Sequence, residues 1–251
     1  MTIDPAQFAI VFVCLALGGV LKGATGAGAP ILAVPALAAV FNVKLAVVIM
    51  MMPNLLPNVW QCWRFRADRL PNNFAWIFAV AGGAGAFVGT AMLAALPHET
   101  LSLIVAMAVF GYVVLRLAKP DWKLAFETGM RFAAPAAFVA GILQGSSGVS
   151  APVSISYLNA LRLKRETYIF TISVFFTAMT LVQLPAQAWF GMLTPTLIGL
   201  SLAAVVPILA FMPVGAALAR RMSPAAFDRA ILLLLAALAC KLVYEALAGA
   251  A

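Results

Sequence analysis

A lysine buried in an apolar stretch carries the strongest chemical signal in this chain. Lys22 is the one charged residue between Asp4 and Lys44. Ionisable groups at such depth in a membrane protein mark a functional site by default. Three residues on stands Thr25, within GATGAGAP (23–30). A second segment, GSSGVSAP (145–152), repeats this pattern with Ser146, Ser147 and Ser150, and Gln144 stands where the first copy has Lys22. A cation in one copy and a neutral amide in the other suit one asymmetric anion. Asn54 and Asn58 in PNLLPN (53–58) are four apart and share a helix face. Gln61 extends that face, and Gln183 is its counterpart 122 residues later. Amides hydrogen-bond an oxyanion without adding charge. The candidate substrate-binding set is therefore Lys22, Gly23, Thr25, Gly26, Asn54, Asn58, Gln61, Gln144, Ser146, Ser147, Ser150 and Gln183. The competing readings are a Lys22 that snorkels to an interface and amides that only join helices.

The backbone of these motifs points to the same chemistry. Glycine admits conformations closed to other residues and lets groups approach closely. Proline is favoured in the first turn of a helix, so Pro30 and Pro152 are expected to start new half-helices. The N-terminus of a half-helix presents free N–H groups and a positive dipole end, which is an anion site. Pro53 and Pro57 are expected to kink their helix and free carbonyls. Gly82, Gly85 and Gly89 have the small-residue spacing of close helix packing.

Only a membrane can house these motifs. The chain of 251 residues is 65% hydrophobic and 10% charged, with mean hydropathy +1.05. Residues 70–98, 132–161 and 167–219 carry no Asp, Glu, Lys or Arg. A spanning helix needs about 20 apolar residues, so each run holds membrane segments and no soluble module remains. The net charge of +8 comes from basic residues in short loops, the pattern of topology determinants rather than of nucleic-acid binding. Cys14, Cys62 and Cys240 lack metal-ligand spacing and read as buried packing residues. No metal and no cofactor are expected. The segment before the first apolar run has no basic residue, so an uncleaved first helix is expected rather than a signal peptide.

The motifs belong to an internal repeat. GVLKGATGAGAPI (19–31) and GILQGSSGVSAPV (141–153) match at an offset of 122, and GTAML (89–93) aligns with GAALA (215–219) at a nearby one. Two halves are expected, 1–120 and 121–251, in a single membrane domain. Arg64, Arg66 and Arg69 mark one cytoplasmic loop; Arg116, Lys119, Lys123 and Arg131 mark another. Run 132–161 is basic at both ends, so it is expected to dip in and return. With a matching hairpin at 6–40, each half is a broken-helix hairpin plus three crossings: 45–63, 73–96 and 100–117, then 167–187, 196–219 and 229–247. Three is odd, so the halves are inverted and both termini lie outside, in the periplasm. The fold class is an all-α integral membrane protein of two inverted repeats, with the site near the midplane where broken helices meet. The alternative has eight spans and parallel halves, each motif interrupting a single crossing.

The two glycine-rich motifs, each followed by an apolar helix and a basic loop, resemble the TauE/SafE family of sulfite exporters and sulfonate-type permeases, over nearly the whole chain. The resemblance implies a transporter of the cell inner membrane that moves sulfite, an organosulfonate or a related small anion. The second copy departs from the usual form by carrying serines.

The acids Asp4, Asp68, Glu99, Asp121, Glu127, Glu166, Asp228 and Glu245 all fall near loops or ends, which leaves no mid-membrane carboxylate for a proton or sodium relay. An inside-negative potential favours anion exit by about 2.3 kcal/mol per charge per 100 mV, which makes passive export sufficient. An anion channel and an importer of carboxylates are the rival readings. Gly145-Ser146-Ser147-Gly148 also matches an intramembrane serine protease, but the one histidine, His98, falls in a turn, where it cannot serve as the base. A small anion and the lipid bilayer are the expected partners, nucleic acid is not, and a homodimer is among the arrangements the sequence allows.

Overall fold

Hydropathy of this kind resolves into helices because a backbone in lipid must satisfy its own hydrogen bonds. The computed structural model describes residues 5–118, 122–221, 232–233 and 235–244. Every regular element among them is helical: α1 (Pro5–Thr25), α2 (Ala29–Ala38), α3 (Val43–Ile49), α4 (Met51–Arg64), α5 (Phe74–Ala95), α6 (His98–Ala118), α7 (Phe126–Ser147), α8 (Ser154–Ala160), α9 (Arg165–Trp189) and α10 (Pro195–Arg221). A further helix, α11, covers Leu235–Tyr244. Among the described residues six helical segments are long and apolar enough to cross a membrane, α3 and α4 counting as one, Val43–Arg64. The expected crossings at 45–63, 73–96, 100–117, 167–187 and 196–219 correspond to five of them, and α1 is the sixth. The expected crossing 229–247 lies partly, and the expected boundary between the halves at residues 120 and 121 wholly, outside the described residues. Trp76 and Trp189 are exposed on the bundle surface, where interfacial tryptophans belong.

The chain breaks where glycine and proline are dense. After α1 it turns through Gly26 and Gly28, both at positive φ, and after α7 through Gly148 at φ 69°. Gly18 of α1 lies against Ala29 and Ala33 of α2, so α2 folds back along α1. In the second half the Leu124 amide donates to the Ala160 carbonyl at 2.8 Å, so α7 and α8 leave and return on one side. Tyr157 of α8 donates to the Gly129 carbonyl of α7 and stacks on Phe78 at 5.6 Å, which in turn meets Phe175 of α9 at 4.5 Å.

Two details of the sequence reading change. The second half-helix starts at Ser154 rather than at Pro152, which lies in the turn before it. The helix before it starts at Phe126, six residues ahead of the charge-free run, and includes Glu127 and Arg131. The cysteines also differ from a buried set: Cys240 is exposed, and Cys14 and Cys62 are half-buried.

Close packing follows the glycines. A Cβ on Gly23 of α1 would collide with the Met212 carbonyl of α10, and one on Gly145 of α7 with the Ala86 carbonyl of α5. Gly19 meets Ile208 of α10 as Gly141 meets Gly82 of α5. Gly215 lies against Val20 as Gly89 lies against Ile142. Each α1 residue in these pairs is 122 positions before its α7 counterpart. Small residues let backbones meet where lipid supplies no hydrophobic drive.

The central helices α4 and α9 run antiparallel. Asn54 donates to Thr180, and Gln61 accepts from Ser173; seven residues forward on one helix are seven back on the other. Pro53 has no N–H for the Ile49 carbonyl four residues earlier. The Ser201 hydroxyl of α10 donates to that carbonyl at 2.9 Å and accepts from the Met52 amide at 2.9 Å, bridging the α3–α4 junction.

Candidate anion site

Lys22 is 2% exposed. Its Nζ donates to Asn58 Oδ1 at 2.9 Å, across from α1 to α4. Asn58 donates in turn to the Asn54 carbonyl and to Asn54 Oδ1, at 2.5 and 3.2 Å, and Asn54 donates to Thr180 Oγ1 at 3.1 Å. One chain of bonds therefore links α1, α4 and α9 through Lys22, Asn58, Asn54 and Thr180. Gln61 lies one turn beyond, and its Oε1 accepts from Ser173 at 3.0 Å. Among the described residues no carboxylate pairs with the ammonium. Removing an ammonium from water costs several kcal/mol even after relaxation, and one neutral amide offsets little of that. Lys22 is thus a buried amine whose bond across the helices is to one neutral amide.

Gln144 and Gln183 form a second group. Gln183 Nε2 points to the Gln144 carbonyl at 3.5 Å, a weak contact, and both Oε1 atoms are buried without a partner. Gln187, one turn past Gln183, is buried as well, with both amide atoms unpartnered. The sequence reading missed it because residue 187 fell at the edge of an expected loop. The available signal was the spacing: Ser173, Thr177, Thr180, Gln183 and Gln187 share one face of α9. From Ser173 to Gln187 is 14 residue steps, about 21 Å of helix.

The hydroxyls are less available than expected. The Thr25 hydroxyl lies within bonding reach of the Leu21 and Ala27 carbonyls and donates to one or the other, Ser146 donates to Ile142 at 2.8 Å and Ser147 to Leu143 at 2.7 Å. Ser150 Oγ accepts from Ser154 at 3.1 Å. These are the back-bonds of Ser and Thr within their own helices and turns. Gly23 is occupied by its contact with α10, and Gly26 packs on Ile169; both serve the backbone. His98 lines a cavity of about 660 Å³ with Lys44 and Asn42, a cavity that Ser147 does not line.

The two breaks do not converge on one point. Gly28 lies beside Ile155 of α8, and Gly148 beside Val34 of α2, so α2 and α8 pass antiparallel. Six α2 residues separate the two left-handed turns, about 9 Å of helix. The first turn opens on a cavity of about 470 Å³ lined by Thr25, Ala27, Gly28, Arg116, Arg162 and Arg165 among others. Arg162 sits on its rim at φ 50°, a region that disfavours residues with a Cβ.

The family model for the sulfite exporter TauE/SafE matches residues 11–242, and that span includes both breaks, Lys22 and the α9 polar face. The chain belongs to the TauE/SafE family. No curated protein and no solved structure matches it. As a TauE/SafE protein it is a multi-pass membrane protein of a family that transports sulfur anions.

Proposed function

We propose that this TauE/SafE protein exports sulfite or an organosulfonate across the inner membrane by alternating access. The observation that carries this reading is Lys22: a buried ammonium, bonded to the Asn58 amide, with no acid beside it among the described residues. Lys22 supplies the charge, and Asn54, Asn58 and Gln61 supply neutral contacts. The α2 N-terminus, with Pro30 in its first turn, adds its dipole. The arginine-lined cavity at the first turn is the entry from the cytoplasm, since loop arginines mark that side.

Alternating access follows from two inverted repeats, about 1–120 and 121–251. Supporting this division, equivalent glycines meet equivalent neighbours, and the equivalent helices α4 and α9 run antiparallel. In such folds one repeat rocks against the other around a fixed site. An odd number of crossings per half puts both termini on one side, and with the basic loops cytoplasmic that side is the outside. The arrangement works as a monomer or within a homodimer.

Purified protein in liposomes tests the reading. Sulfite flux that saturates and shows counterflow, and that an imposed inside-negative potential drives outward, is the expected result. Linear flux without counterflow means a channel, and flux of carboxylates alone means a different substrate class.

A further inference from the structure

Buried amides are costly unless their hydrogen bonds are made. An unsatisfied group carries its full desolvation penalty, while an apolar residue of the same shape carries none. Native proteins keep few such groups, and each calls for an explanation such as a water or a ligand. Gln144, Gln183 and Gln187 leave four amide atoms without partners among the described residues: Oε1 of Gln144, Oε1 of Gln183, and both Oε1 and Nε2 of Gln187. All three side chains are at most 2% exposed. Gln183 and Gln187 share a face of α9, and Gln183 reaches the α7 backbone at Gln144.

The position of this group is as informative as its chemistry. Gln144 is 122 residues after Lys22, Gln183 is 122 after Gln61, and Thr180 is 122 after Asn58. Lys22, Asn58 and Gln61 thus have their counterparts in Gln144, Thr180 and Gln183, and along α9 Gln183 and Gln187 lie past the Asn54–Thr180 bond, away from the Gln61–Ser173 bond. Gln187 falls opposite Phe65, so the second group gains an amide that the first half lacks. The polar face of α9 joins the two groups through Ser173, Thr177, Thr180, Gln183 and Gln187.

We propose that Gln144, Gln183 and Gln187 form a second, uncharged station for the oxyanion, on the release side of the Lys22 station. The proposal rests on the carrier reading above. Gln187 Nε2 donates to the anion's oxygens, rotation of the Gln144 amide brings a second N–H to them, and an anion that carries a proton or a water donates in turn to an Oε1. A charged station alone would hold its anion; a neutral station beyond it takes the anion over weakly and lets it go. The asymmetry between Lys22 and Gln144 then makes affinity higher on the Lys22 side and release easier on the other.

Gln187→Leu tests this with sulfite as the probe. Flux in liposomes is expected to fall by about tenfold or more, the cost of losing a buried hydrogen-bonding partner. Equilibrium sulfite binding stays within about threefold, because the Lys22 station is intact. The thermal midpoint in detergent stays level or rises, because an orphaned amide has left the core. Should Gln187→Leu not fold, Gln187→Asn, which keeps the amide on a shorter stem, carries the same test. Wild-type flux in a folded variant overturns the station. So does a lowered midpoint in both variants, since that makes the amide a structural bond. A wild-type protein that moves no sulfite refutes the carrier reading itself, whereas wild-type transport with undiminished Gln187→Leu transport refutes the station alone.

Discussion

Gly23 and Gly145 occupy equivalent positions in the two halves, and each lies against a helix carbonyl, Met212 on α10 and Ala86 on α5. One residue earlier the halves diverge. Lys22 crosses to Asn58 as a buried amine, while Gln144 keeps an unpartnered Oε1 beside Gln183. The duplicated feature is the packing, and the diverged feature is the charge. The backbone contact at these glycines leaves no room for a side chain, whereas the residue one position earlier is free to differ between the two segments.

The largest effect expected from this comparison is structural and equal in the two halves. Gly23→Leu and Gly145→Leu each drive a side chain into a helix backbone that cannot move aside, so both are expected to abolish folded protein, judged by monodisperse elution in detergent. Loss in only one half would show that the packing is not duplicated. The smallest effect is expected at Gly111 of α6, where an added Cβ meets nothing. Gly111→Ala leaves transport unchanged and stabilises by at most about 1 kcal/mol through helix propensity, read as a level or slightly raised thermal midpoint.

Much of this was legible in the residues. The runs free of charge located the long crossings, because about 20 apolar residues have few other uses. The breaks were legible because glycine at positive φ and proline near a helix start are local requirements, met at Gly26, Gly148 and Pro30. Lys22 stood out by residue type, but its bond to Asn58 depends on how α1 packs on α4. Other features depend on packing between distant segments. The 9 Å offset between the breaks follows from how α2 passes α8, and no local pattern encodes it. The hydroxyls of Thr25, Ser146 and Ser147 looked free in sequence but turn back to their own carbonyls. Gln187 was hidden by a boundary, since α9 extends past it to Trp189. Ser201 gained its role only when α10 reached the α3–α4 junction.

The most direct test of the account is the binding of sulfite, sulfoacetate, taurine and simple carboxylates to purified wild-type protein and to Lys22→Gln, titrated calorimetrically. Lys22→Gln gives both halves a glutamine at this position and removes the buried cation. Wild-type protein is expected to bind sulfite or a sulfonate in preference to carboxylates, and Lys22→Gln to lose about a hundredfold in affinity, the scale of a buried charge-assisted bond. Undiminished sulfite affinity in a folded Lys22→Gln protein would contradict the claim that this buried ammonium holds the anion.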